Sequence, residues 1–172
     1  MTSVYKIKKD LKIPMIIATL MSIPVFGDLM INRGLQPSMM VLALLLMVLF
    51  YMLTINNLLR KVTITDHEIA VRSLGGVRRI PVGEVTFIDG VTMGSKQFVT
   101  ITSNKKHTFI PNSFENFSGM LSDIESAAKE EAIGEGFKAL KENVVPRKSD
   151  VAGAWITVIV LVIVTFVILY QK

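Results

Sequence analysis

Three long apolar blocks constrain this chain more than any other feature of its sequence. They cover 13–31, 39–55 and 151–170. A helix needs about 20 mostly apolar residues, at ~1.5 Å per residue, to cross the hydrocarbon of a bilayer. The third block meets that requirement without a single charge, and thirteen of its residues are Val, Ile, Leu or Phe. At roughly −0.4 kcal/mol each, those residues favour insertion by about 5 kcal/mol. An unbroken run of this length also exceeds the ~5 or 6 residues of an ordinary strand. Trp155 and Tyr170 stand near its two ends, where interfacial aromatics belong. The second block is rich in Leu and Met, and Asn56, Asn57, Arg60 and Lys61 mark its exit. Pro14, Pro24, Gly27 and Asp28 interrupt the first block. Pro14 is expected in the first helical turn, where its missing N–H is tolerated, and Pro24 is expected to kink or end the helix.

The distribution of charge gives the orientation. Residues 1–12 hold Lys6, Lys8, Lys9 and Lys12 against Asp10, whereas 60–150 holds 13 basic and 12 acidic residues. The excess charge therefore lies beside the apolar blocks and not on the central segment. That segment lacks the basic footprint of a nucleic-acid binder, so no nucleic acid is expected as a partner. Lysines concentrate before the first block, and Arg60, Lys61, Arg147 and Lys148 flank the other two, while the 27–38 connection has only Arg33. The positive-inside rule then predicts a cytoplasmic N-terminus, a helical hairpin, a cytoplasmic domain and a last helix running outward. The expected divisions are a basic N-terminus over 1–12, a transmembrane hairpin over 13–59, a β-domain with a capping helix over 60–130, a helical linker over 131–150 and a C-terminal transmembrane helix over 151–172.

From Lys61 the apolar period changes to two. Residues 61–65 and 68–72 alternate on either side of an Asp66-His67 turn, and Gly75-Gly76 turns the chain into 77–80. A strand over 84–88, a loop holding Asp89, Gly90 and Gly94, a strand over 97–102, a turn at Asn104-Lys105-Lys106 and a strand over 107–110 complete an antiparallel sheet or small barrel. The period then returns to 3.6. Asn112 and Glu115 have the spacing of a capping box, and Phe114, Phe117, Leu121, Ile124 and Ala128 form one apolar stripe. Phe137 and Leu140 predict a short surface or interfacial helix that connects the domain to the last block.

The run Val62-Thr-Ile-Thr-Asp-His-Glu-Ile-Ala-Val-Arg72, then Gly75-Gly76, then Arg79-Ile80-Pro81-Val82 leading to Glu84-Val85 resembles the bacterial pleckstrin-homology-like (PH-like) domains of small membrane proteins. The resemblance covers about 70 residues and is a pattern of fold. It implies an antiparallel barrel or sandwich capped by a C-terminal amphipathic helix, in a bacterial cytoplasmic membrane, with helices placed before the domain. The third helix after the domain is a departure from that pattern.

Catalytic signatures are missing from the sequence. Cysteine is absent, which excludes disulfides and thiolate chemistry, and the two histidines, His67 and His107, have no carboxylate at ligand spacing. No nucleophile elbow, P-loop or dinucleotide fingerprint occurs. The expectation is a non-catalytic membrane-anchored module without metal or cofactor, whose partners are the bilayer and a protein or a second copy of itself. An accessory subunit of a transporter or membrane enzyme is an alternative. A lipid sensor is another, because Arg78, Arg79, Lys96, Lys105 and Lys106 resemble the basic loop residues with which PH domains touch headgroups. Each such charge near an anionic surface contributes about 1 kcal/mol.

Overall fold

A computed structural model describes residues 2–31, 36–104 and 106–170. The chain is α+β and divides into two units, residues 1–8 with 59–148 and residues 9–58 with 149–172. Lys105 and Arg33 lie outside the described residues.

The second unit consists of helices α1 (Lys9–Ile31), α2 (Pro37–Leu59) and α5 (Lys148–Tyr170). Each has 23 residues, with mean hydropathies of 1.8, 2.5 and 2.8. At ~1.5 Å per residue each is about 34 Å long, enough for a ~30 Å hydrocarbon layer. Pro37 opens α2 at the position where proline fits a helix best. Helix α1 runs through both Pro14 and Pro24, so Pro24 does not end it. Because α1 starts at Lys9, Pro14 lies beyond the first turn. Polar side chains turn back onto the backbone near the interruption, with Thr19 Oγ1 donating to Met15 O (2.8 Å) and Ser22 Oγ to Thr19 O (2.7 Å). Ser22 Oγ also pairs with the Tyr51 hydroxyl of α2 at 3.0 Å, and Phe26 packs with Phe50 and Tyr51 at centroid distances of 6.5 and 6.3 Å.

The first unit has two antiparallel sheets. One has the order β1 (Thr2–Lys6), β2 (Lys61–Thr65), β3 (Glu68–Ser73), β4 (Gly76–Pro81), and the other β5 (Val85–Met93), β6 (Lys96–Ser103), β7 (Lys106–Pro111). Strand β1 revises the reading of residues 1–12. That segment is not only a charged flank, since Thr2 pairs with Thr65 and Lys6 with Lys61. Tyr5 and Ile7 are buried, and Ile7 forms a bridge with Phe114. The hairpin α1–α2 is thus inserted between two adjacent strands of one sheet. Period-two alternation puts Val62, Ile64, Ile69 and Ile80 on the buried face of the first sheet, and Ile88, Val99, Ile101 and Ile110 on that of the second.

Strand β5 continues through Asp89 and Gly90, which were expected in a loop. Gly90 serves close packing there: a Cβ on it would strike Gly136 O and stand 2.7 Å from Leu140 Cβ. Those two residues belong to α4 (Glu135–Glu142), whose Phe137 and Leu140 are fully buried. The segment is therefore part of the core and not a surface connector. Helix α3 (Phe117–Ala127) is capped by Asn116, in the left-handed region at φ 46°, whose side chain accepts from Gly119 N at 3.2 Å. The Asn112–Glu115 capping box does not form. Asn112 is buried and donates through Nδ2 to Ser95 O (3.1 Å) and Val145 O (3.0 Å). Phe117, Leu121 and Ile124 are buried as the stripe requires, joined by Met120, while Ala128 is half-buried as the C-cap.

Candidate functional surfaces

The outer face of β5–β6–β7 is largely apolar and, among the described residues, open except where Gly134 and Gly136 approach Phe87 and Asp89. Side chains one rung apart alternate faces, so the buried Val99 and Ile101 leave Phe98 pointing outward between its partners Val91 and Pro111. Phe109 stands diagonal to Phe98, within reach of an aromatic side chain. Phe109 is 60% exposed, Met93 68%, Phe87 47% and Val91 44%. Outward positions of an antiparallel sheet that faces water are normally polar. Its polar residues are Asp89, Thr100 and Thr102, with Lys96 and His107 at the two ends of the sheet.

The outer face of β1–β4 has the opposite character. Lys6 lies opposite Lys61, Lys61 opposite Arg72, and Arg72 opposite Val77. One rung thus carries three cations. The next holds Val4, Thr63, Ala70 and Arg79, and Arg79 Nη1 reaches Glu68 Oε1 at 3.5 Å. A shallow hollow of about 240 Å³ lies over this face, lined in part by Lys61, Arg72, Val77 and Arg79.

A second hollow, of about 280 Å³, is lined by Arg60, Ser73, Arg78, His107, Thr108 and Phe114 among others. Arg78 shares the inward face of β4 with Ile80, and its Nη1 donates to His107 O at 2.9 Å. Thr108 Oγ1 is buried there without a hydrogen-bond partner.

Of the five basic residues singled out from the sequence, Lys105 lies outside the described residues, and Arg78, Arg79, Lys96 and Lys106 do not form one site. Arg78 and Arg79 are consecutive in β4 and point to opposite faces. Lys96 opens β6 beside the Gly94-Ser95 turn, while Lys106 follows the Asn104 turn at the other end of that strand. Eight residues at ~3.3 Å separate the two ends by about 23 Å. Arg78 and Lys106 do come to the same end, through the Arg78–His107 bond. Sequence inspection missed Lys6, Lys61 and Arg72 as a group, because only the pairing register aligns them.

Away from these surfaces, Tyr5 and Asp123 meet, the hydroxyl donating to Oδ2 at 2.6 Å. Hydrogen bonds from Ser3 and Tyr5 hold the Asp123 carboxyl below the usual carboxylate range. Burial first, and then the bond to Asp123 and its charge, push the Tyr5 hydroxyl up to about 12. Among the described residues, no group of three His, Cys, Asp or Glu side chains is placed to hold a metal ion. No protein-family model matches the chain, and searches of curated proteins and of solved structures find no match.

Proposed function

We propose that this chain is a non-catalytic, membrane-anchored interaction module. In this reading α1, α2 and α5 cross a bacterial cytoplasmic membrane, and the β-unit is a PH-like domain at the inner face that engages a protein partner. The observation that carries the proposal is the apolar outer face of β5–β6–β7, where Phe87, Val91, Met93 and Phe109 are exposed around a half-buried Phe98. Contiguous apolar surface left open on a folded domain marks an interaction site.

Three further features support the reading. A run of antiparallel strands followed by one amphipathic helix is the order expected of a PH-like domain. The hairpin leaves from β1 and returns into β2, so both of its ends belong on one side of a membrane. Lys9 and Lys12 occupy the positive end of the α1 dipole, where cations are disfavoured by a few tenths of a kcal/mol. Topology accounts for their placement where helix stability does not.

The test is purification from native membranes in mild detergent, with mass determination of the intact particle. A second chain or a second copy should be present at a fixed ratio in the unaltered protein and be lost from Phe109→Glu. A particle of one copy alone sinks the proposal. Reporter fusions check the topology: one after Lys172 should be exported, and one within the Asn104 turn should not. An anionic-lipid sensor acting through the strand-connecting loops is the weaker reading, because Lys96 and Lys106 lie at opposite ends of their sheet.

A further inference from the structure

Among the described residues, the cationic rung on β1–β4 has no acid opposite or beside it in the sheet. Opposed residues on one sheet face stand about 5 Å apart, and like charges so placed repel. Lys6 and Arg72 are exposed and Lys61 is half-buried, and among the described residues none of the three is in an ion pair. Glu68, the acid on the same face, is engaged by Arg79 at 3.5 Å, two rungs from Lys61. Such an arrangement calls for a negatively charged surface from outside.

Chain connectivity identifies that surface. Lys6 lies three residues before α1 begins at Lys9, and Lys61 two residues after α2 ends at Leu59. An extended chain advances at most about 3.5 Å per residue, so each of these lysines lies within about 10 Å of a helix end. The residue next to a spanning helix lies at the headgroup level. We infer that Lys6, Lys61 and Arg72 bind the phosphate groups of anionic phospholipids in the leaflet that α1 and α2 enter. This rests on the membrane insertion proposed above. The Arg72 guanidinium offers a fork suited to two phosphate oxygens, while the lysines act as point charges.

The absence of cysteine from the sequence makes the test direct. Val77→Cys places one thiol at the end of the rung, at a position that is 54% exposed in the unaltered chain. The full chain, labelled there with a fluorophore, is reconstituted into nanodiscs carrying a headgroup-attached quencher. The discs are made of phosphatidylcholine alone or of phosphatidylcholine with phosphatidylglycerol. Quenching should be at least about twofold greater with phosphatidylglycerol, and should return to the neutral-lipid level in about 1 M salt, where screening acts over ~3 Å. Lys6→Gln/Lys61→Gln/Arg72→Gln should lose the difference, and Arg72→Gln alone should lose part of it while folding normally by circular dichroism. Lys96→Gln/Lys106→Gln/Lys129→Gln, with the same change in net charge, should keep it. Equal quenching in the two kinds of disc overturns the inference, as does a loss confined to the second triple. A chain that enters discs yet ignores phosphatidylglycerol leaves the anchoring proposal standing. A chain that never enters discs overturns both.

Discussion

The Tyr5 hydroxyl donates a 2.6 Å hydrogen bond to Asp123, 118 residues further along the chain. It ties the strand before the apolar hairpin to the helix that follows both sheets. Tyr5→Phe should cost about 1 kcal/mol at neutral pH, read as a lowered melting temperature. The depressed Asp123 carboxyl contributes stability that is complete above about pH 4 and fades as the pH falls through its folded value. The raised Tyr5 hydroxyl contributes stability that is complete below about pH 10 and fades as the pH rises through about 12. Tyr5→Phe should therefore flatten the alkaline flank of the stability profile and only lessen the acid one, which the Ser3 hydrogen bond chiefly sustains. The tyrosinate absorbance it removes should be the part that titrates near 12.

Gly90 lets α4 lie directly on β5. Gly90→Ala forces a methyl against Gly136 O and Leu140 Cβ, and should destabilise by about 2 kcal/mol. Gly83→Ala meets nothing within 4 Å and should stay within about 0.5 kcal/mol of the parent chain. Equal melting temperatures for the two variants would refute the close packing.

Asn116, not Asn112, starts α3. Asn116→Ala loses the cap and places alanine at φ 46°, costing about 2 kcal/mol. Asn116→Gly keeps that backbone conformation open and should cost a few tenths. Glu115→Ala should be silent within about 0.5 kcal/mol, because no capping box depends on it. Chemical denaturation of the three variants orders them.

Gln97 is fully buried and holds the segment leading to α5, donating to Asn143 O at 2.6 Å and accepting from Val145 N at 2.9 Å. Gln97→Leu leaves both groups without their partner and should cost about 2 kcal/mol. The change should appear as faster amide exchange and proteolysis over 143–147, with β1–β4 unaffected.

Thr108 offers the opposite sign. Its buried hydroxyl has no hydrogen-bond partner, so Thr108→Val replaces an unsatisfied polar group with a methyl of similar volume. The variant should be as stable as the parent or more stable by up to about 1 kcal/mol.

Local pattern made much of this molecule readable. The length and apolarity of α1, α2 and α5 follow from composition over about 20 residues, and the strands from Lys61 onward follow from alternation within four to eight. The stripe of Phe117, Leu121 and Ile124 declared α3 in the same way. These signals are short-range: each element's own side chains must segregate from water, and that requirement is written in its own residues.

What the sequence left open depends on pairing at a distance. Residues 2–6 read as a lysine-bearing flank, because a strand of five residues with one buried side chain has no period to detect. They become β1 only when β2, more than fifty residues later, offers its edge. The role of Gly90 depends on the approach of Gly136, and the burial of Phe137 and Leu140 on the sheet beneath them. The same holds for the candidate sites. Arg78 and Arg79 look like a pair in sequence and are parted by the strand's two-residue repeat. Lys6, Lys61 and Arg72 are far apart along the chain and are brought into line by backbone hydrogen bonds. Composition determined that this chain has three helices fit to span a membrane and a β-rich domain. Cross-strand register, which the pairing partner sets and no single segment encodes, decided where its charge gathers.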